Sequence, residues 1–188
     1  MLFAAAAHNP DPAVVDRLVA LGAKPAIRDC FGQSTLHLAI AQNPAAATVA
    51  SRLLKAGADP NAADGNGVEP LALAVSLGKT EVAELLLAAG GNPEITDAQG
   101  RTLLMQAVVR QDAALLRLLL AADADVNATD IRQKTALILA AEGGAPIAIL
   151  QALLDGGADP AAKDISGSTA LDYARPKADA ETLRLLIP

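Results

Sequence analysis

A few residues have the types and spacing that chemistry would need. Gly78-Lys79-Thr80 has the form of the tail of a phosphate-binding loop, in which glycine amides and a lysine hold phosphate oxygens. The full pattern requires glycine five positions before Gly78, and Leu73 stands there. Gly65-Asn66-Gly67 has the form of the start of a dinucleotide fingerprint, but Pro70 occupies the place of the third glycine. This stretch reads instead as a turn with two permissive residues. His37 could serve as a base or a ligand, yet no cysteine or second histidine lies at ligand spacing from it. Asp123/Asp125 and Asp155/Asp159 are paired carboxylates in loop-like stretches, where aspartate commonly accepts from nearby backbone N–H groups. Nothing near them would push their pKa values apart, as acid–base work requires. Cys30 has no base beside it and reads as a spare thiol rather than a nucleophile. These residues make no catalytic set, and the sequence calls for no cofactor and no metal.

Composition narrows the classes further. The chain has 188 residues, 52% of them hydrophobic, with 2% aromatic and no Trp. Alanine and leucine must therefore do the packing, which suits short helices at close approach. The formal net charge of −6 argues against a nucleic-acid partner, since phosphate neutralisation needs surplus Lys and Arg. One cysteine cannot form an internal disulfide, so nothing demands an oxidising compartment. Met1-Leu2-Phe3-Ala4 has no basic start, and its apolar run ends at His8-Asn9-Pro10, unlike a signal peptide. No run of about 20 apolar residues is present for a membrane span. A cytoplasmic location is the default expectation.

The elements that would position any site recur at a fixed interval. Aspartates at the start of turns fall at Asp29, Asp64, Asp97, Asp130 and Asp164, spaced by 35, 33, 33 and 34 residues. Such a period predicts a stacked array of one supersecondary unit. Each unit reads as an Asp/Gly turn, a short apolar helix, a second apolar helix and a loop. Helices are expected near Thr35–Gln42 and Thr48–Lys55, with Asn43-Pro44 ending the first. Pro70 suits a first helical turn, and Glu81 suits the start of the next helix, where the dipole favours negative charge. Further pairs are expected near Thr102–Arg110 and Ala114–Ala121, and near Thr135–Glu142 and Ile147–Leu154. The expected organisation is one domain over 1–188. It comprises an N-terminal cap (1–28), internal repeats (29–63, 64–96, 97–129 and 130–163) and a C-terminal cap (164–188). With caps at both ends, the array is expected to be complete.

Gly32-Gln33-Ser34-Thr35-Leu36-His37-Leu38-Ala39 and Gly67-Val68-Glu69-Pro70-Leu71-Ala72-Leu73-Ala74 carry a family pattern, Gly-x-Thr-Pro-Leu-His-x-Ala. Weaker copies begin at Gly100, Gln133 and Gly167, and a Gly-Ala-Asp loop returns at Gly57-Ala58-Asp59 and Gly157-Ala158-Asp159. Five copies in register over the whole chain resemble the ankyrin repeat family, in particular small bacterial stand-alone arrays. Departures are Thr35, Leu103, Ala136 and Ala170 in the proline slot, Gln133 in the turn-glycine slot and Asp123 in a loop-glycine slot. The resemblance implies an all-α ankyrin-repeat solenoid of about six helix-turn-helix repeats with short hairpin-like turns. It also implies that His37 hydrogen-bonds within and between repeats.

By the same resemblance, partners bind a concave face made of hairpin tips and the exposed side of each first helix. In this chain those slots hold Phe31, Gln33, Val68, Leu77, Arg101, Arg110, Ile131, Arg132, Lys134 and Arg175. Cys30, Val109, Ile165 and Glu142 fall in equivalent slots. Of 15 basic and 21 acidic residues, five basic and one acidic occupy these slots, leaving 10 basic and 20 acidic elsewhere. An acidic protein thus gathers positive charge beside exposed apolar residues, the composition of a binding hot spot. Against this stands packing: Ile131 and Ile165 could seat hairpin against hairpin, and scattered arginines are usually solvated. The expected function is a non-catalytic protein–protein interaction module, monomeric alone, for a protein partner with an acidic surface. It could neutralise that partner as an immunity or effector-type protein. The alternative is a regulatory or scaffolding subunit of an enzyme or transport assembly.

Overall fold

The computed structural model describes residues 1–9 and 11–187. Its fold is all-α, and among the described residues the β pairing is limited to two isolated bridges, Arg28 with Ser34 and Thr96 with Thr102. The chain divides into two compact units, Met1–Asn92 and Pro93–Pro188. The first holds α1 (Leu2–His8), α2 (Ala13–Ala20), α3 (Thr35–Gln42), α4 (Ala46–Lys55), α5 (Pro70–Ser76) and α6 (Thr80–Ala88). The second holds α7 (Leu103–Val109), α8 (Ala113–Ala121), α9 (Ala136–Gly143), α10 (Ile147–Asp155), α11 (Ala170–Ala174) and α12 (Ala180–Leu185).

Each turn begins with its periodic aspartate. Asp29 Oδ1 accepts from the N–H groups of Phe31 and Gln33, both at 2.9 Å, and the Asp29 N–H returns to the Gln33 carbonyl. Asp64, Asp97, Asp130 and Asp164 repeat the arrangement. The tips need a residue in the left-handed region. Gly67 supplies one at φ 81°, and Gln133 does the same work at φ 59° without being glycine. Asp123, in the loop-glycine slot, likewise sits at φ 59°. Both departures from the family pattern therefore keep the turn geometry.

Four of the first helices start where a side chain satisfies a free amide. Ser34, Thr102, Thr135 and Thr169 each accept from the backbone N–H three residues on, capping α3, α7, α9 and α11. Pro70 opens α5 instead, its missing N–H costing nothing there. α3 matches its expected bounds, and the other boundaries differ by one or two residues, at Thr102 and Thr135 because these residues cap rather than join their helices. In the first unit α1 packs on α3 and α3 on α5, while α2 packs on α4 and α4 on α6. In the second unit α7, α9 and α11 pack in one row, and α8, α10 and α12 in another. Leu36, Ile40, Leu53, Leu71 and Leu86 are fully buried in the first unit, as are Leu104, Leu115, Leu119 and Leu137 in the second. Ala39, Ala50, Ala74, Ala107 and Ala140, all at 0% exposure, let neighbouring helices close together.

The turn and cap aspartates make stability depend on pH. Asp164 is held far below the ordinary carboxylate range by the hydroxyls of Ser166 and Tyr173, helped by the amides of Ser168 and Ser166. Burial pushes Asp64 and Asp97 up, but accepted backbone N–H bonds outweigh it and their pKa values fall. Asp172 and Asp179 are lowered by the backbone amides they cap. Glu69 goes the other way, raised by burial and by the charge of Asp59. A depressed native pKa means the unfolded chain takes up protons first, so the stabilisation is full above the ordinary carboxylate range and drains as pH falls through and below it. With five groups lowered against one raised, the urea midpoint should drop markedly between pH 7 and about pH 3. An unchanged midpoint at the lower pH would contradict this.

Candidate functional site

The residues whose types suggested chemistry prove to be structural. Gly78 ends α5 at φ 66°, and the Lys79 ammonium donates to the Ile40 carbonyl at the end of α3, 2.6 Å away. A lysine spent on a helix C-terminus completes a favourable dipole contact rather than a phosphate site. Gly65 is constrained for a reason other than turn freedom. Its N–H donates to the Phe31 carbonyl of the preceding hairpin at 2.9 Å, and an added Cβ would lie 2.6 Å from that oxygen.

His37 is 1% exposed and ties two repeats together. Its Nδ1 accepts from the Ser34 N–H at 3.2 Å and lies 2.8 Å from Ser34 Oγ. Its Nε2 then carries the proton and donates to the Val68 carbonyl, 2.9 Å away in the next hairpin. Asp123 sits at the end of α8, Asp125 accepts from Asn127 N–H, and Asp159 accepts from Ala161 N–H. Asp155 accepts from Gln151. Among the described residues, no group of three or more His, Cys, Asp or Glu is placed to hold a metal ion.

The roles of several structural residues went unread in the sequence. Asn61 donates to the Gly90 carbonyl at 3.0 Å and accepts from Asn92 N–H at 2.9 Å. Asn127 does the same to Gly157 and Asp159, one loop to the next. Lys177 donates to the Glu142 carbonyl as Lys79 does to Ile40. The available signal was position: both asparagines stand two residues after a loop aspartate, Asp59 or Asp125.

The slots expected to meet a partner fall differently in the two units. In the first, Phe31 is 72% exposed and Leu77 46%, while Val68 and Gln33 are only partly open. In the second, Ile131 (67%) and Ile165 (70%) stand out from the hairpins, and Val109 is exposed at the end of α7. Neither isoleucine side chain is buried by hairpin stacking. That stacking runs through the backbone instead, with Ile131 N–H donating to Gln99 O and Ile165 N–H to Arg132 O. Arg110, Arg132 and Arg175 are exposed, and Arg101 is half-exposed with its Nε on Asp97 Oδ2 at 2.9 Å. Arg175 lies 3.6 Å from Asp172 Oδ1.

Lys134 differs from the others. It is 7% exposed, with Nζ 2.6 Å from Glu142 Oε2 and 4.6 Å from the centre of the Tyr173 ring. Burial works against its charge, but the Glu142 carboxylate and Tyr173 more than offset this and raise its pKa. Slot position alone does not reveal that a side chain folds inward onto a partner eight residues on. Arg101, Ile131, Arg132 and Lys134 nevertheless meet around one open cavity of about 340 Å³, with Gln99, Asp130, Leu139 and Glu142 completing its wall.

Ankyrin-repeat models match residues 2–97, 41–130 and 104–188. The chain belongs to the ankyrin repeat family. Among solved structures, an ankyrin repeat domain from Acinetobacter baumannii is 30% identical at a TM-score of 0.88, over 98% of this chain and 95% of that one. The ankyrin repeat domain of Bcl-3, described as a member of the IkappaB protein family, is 31% identical at a TM-score of 0.79, over 93% of this chain and 76% of that one. The ankyrin repeat protein EF0377 is 27% identical at a TM-score of 0.82, over 98% and 95%. No curated protein matches the chain. Ankyrin repeats are in general non-catalytic protein–protein interaction modules, which agrees with the backbone roles of His37, Lys79 and the paired aspartates. No described helix is long and apolar enough to cross a membrane.

Proposed function

We propose that this ankyrin repeat protein captures a protein partner with an acidic surface, through the hairpin tips and first helices, and performs no chemistry of its own. The observation that carries this reading is in the second unit. Ile131, about two-thirds exposed, shares a cavity with Arg101 and Arg132, and equally exposed Ile165 hangs its N–H on the Arg132 carbonyl, in a chain of net charge −6. Exposed apolar anchors rimmed by arginine make effective binding centres, and such a charge pattern selects acidic surfaces and speeds encounter. In the first unit Phe31, Gln33, Val68 and Leu77 supply a mainly apolar contact of the same kind. Lys134 contributes through the charge it brings to the cavity rather than by direct reach. The free chain is a monomer in this account. Whether the complex silences the partner or assembles it follows from the partner's identity.

The test is capture by the whole chain as bait, compared with Arg101→Glu/Arg110→Glu/Arg132→Glu. Capture should be lost with the reversed bait, and association with the native bait should slow as salt rises.

A further inference from the structure

The cavity in the second unit has a definite chemical preference. Its cations come from two successive hairpins: Arg101 from one, Arg132 and Lys134 from the next. The carboxylates in its wall are already committed. Asp130 Oδ1 accepts from the backbone N–H groups of Arg132 and Lys134, at 2.8 and 2.9 Å. Glu142 is bound to Lys134 at 2.6 Å, yet its side chain remains 42% exposed, whereas that of Lys134 is only 8% exposed. Among the described residues no carboxylate pairs with Arg132. Ile131 and Leu139 add apolar surface beside these charges. The arrangement offers forked donors at the rim, a buried ammonium beneath, and a hydrocarbon wall.

Resting on the partner reading above, we propose that this cavity receives a glutamate side chain of the protein partner. Its carboxylate meets Arg101 and Arg132, and its methylenes lie against Ile131 and Leu139. Glu142 competes with it for Lys134. The resident carboxylate keeps the buried ammonium paired in the free protein, since an unpaired buried charge is costly. It also lowers the positive potential felt by an arriving carboxylate, so it sets the affinity of the cavity. A carboxylate suits this place better than a phosphate, because Glu142 remains as a near neighbour that two negative charges would meet unfavourably.

The probe is a fluorescent, terminally blocked hexaglutamate peptide, with hexaglutamine as its neutral counterpart, titrated into the intact chain. Hexaglutamate should bind and move the backbone amide signals of Gln99, Arg101, Arg132 and Leu139, and hexaglutamine should not bind. Arg132→Glu should weaken binding at least tenfold. Glu142→Gln keeps an oxygen for the Lys134 ammonium and should tighten binding about three- to tenfold, as expected for removing one partly exposed like charge. A thermal midpoint near the native value for each variant confirms that it remains folded. Hexaglutamate signals spread over all exposed basic residues, or no tightening with a folded Glu142→Gln, would overturn the proposal. So would tighter binding of inorganic phosphate than of hexaglutamate at the same amides. If a captured partner is lost on reversing Arg110 but kept on reversing Arg132, the face stands and the cavity falls. If reversal of all three arginines leaves capture intact, the face falls as well.

Discussion

Leu119→Ala should cost about 2–5 kcal/mol of folding stability, the range for truncating a fully buried leucine. Leu119 is 0% exposed in α8, whose row packs on α10. Close-packed neighbouring helices collapse only in part onto a truncated side chain. The cavity left behind therefore adds to the lost burial of the side chain. In a repeat architecture, each repeat draws much of its stability from contacts with the next, so a hole at such a contact weakens both. Leu118, on the same helix but only part-buried, serves as the comparison. Urea unfolding should show a much smaller loss for Leu118→Ala. Equal losses at both positions would mean that α8 does not pack as described.

His37→Ala should cost roughly 3 kcal/mol, mostly from a buried ring removed and in smaller part from a part-buried carbonyl left without its donor. The Val68 carbonyl loses its 2.9 Å donor, and the Ser34 N–H loses Nδ1 as an acceptor. Ser34→Ala isolates the smaller part. It removes the cap on the His37 N–H but leaves the bond to Val68, and should cost about 1 kcal/mol. If His37→Ala were no more destabilising than Ser34→Ala, the link between the two hairpins would carry no weight.

Much of the fold was legible because the chain repeats its instructions. The periodic aspartates mark turns since each must accept two backbone N–H groups at fixed offsets, and that requirement shows in sequence as a 33-residue beat. The helix pairs follow from apolar runs bounded by Asn43-Pro44, Pro70 and the stops at Gly78 and Gly144, while the capping roles of Ser34, Thr102 and Thr135 went unread. Gln111 was not legible as such a stop: it ends α7 at φ 55° without being glycine. The ladder through Asn61 and Asn127 was missed because an asparagine in a loop has many partners within reach.

The site was less legible than the fold. Exposure of Ile131 and Arg132 could be read from their hairpin positions, since tip residues have few neighbours. The fate of Lys134 could not. Its backbone sits beside the exposed tip, and only the three-dimensional placement of Glu142 and Tyr173 draws the long side chain inward. Arg101 shows the same dependence, with its Nε committed to Asp97 while the residue lines the cavity.

The most direct measurement of the central claim is a paired capture from native lysate, read by mass spectrometry. The native chain and the Arg101/Arg110/Arg132 charge reversal are run beside a control reversing Arg117 and Arg184, two exposed arginines on the second helices. The account predicts one protein with an acidic surface, held by the native and control baits and lost by the face-reversed bait. A partner held equally by all three baits, or lost equally from both reversed ones, would contradict it.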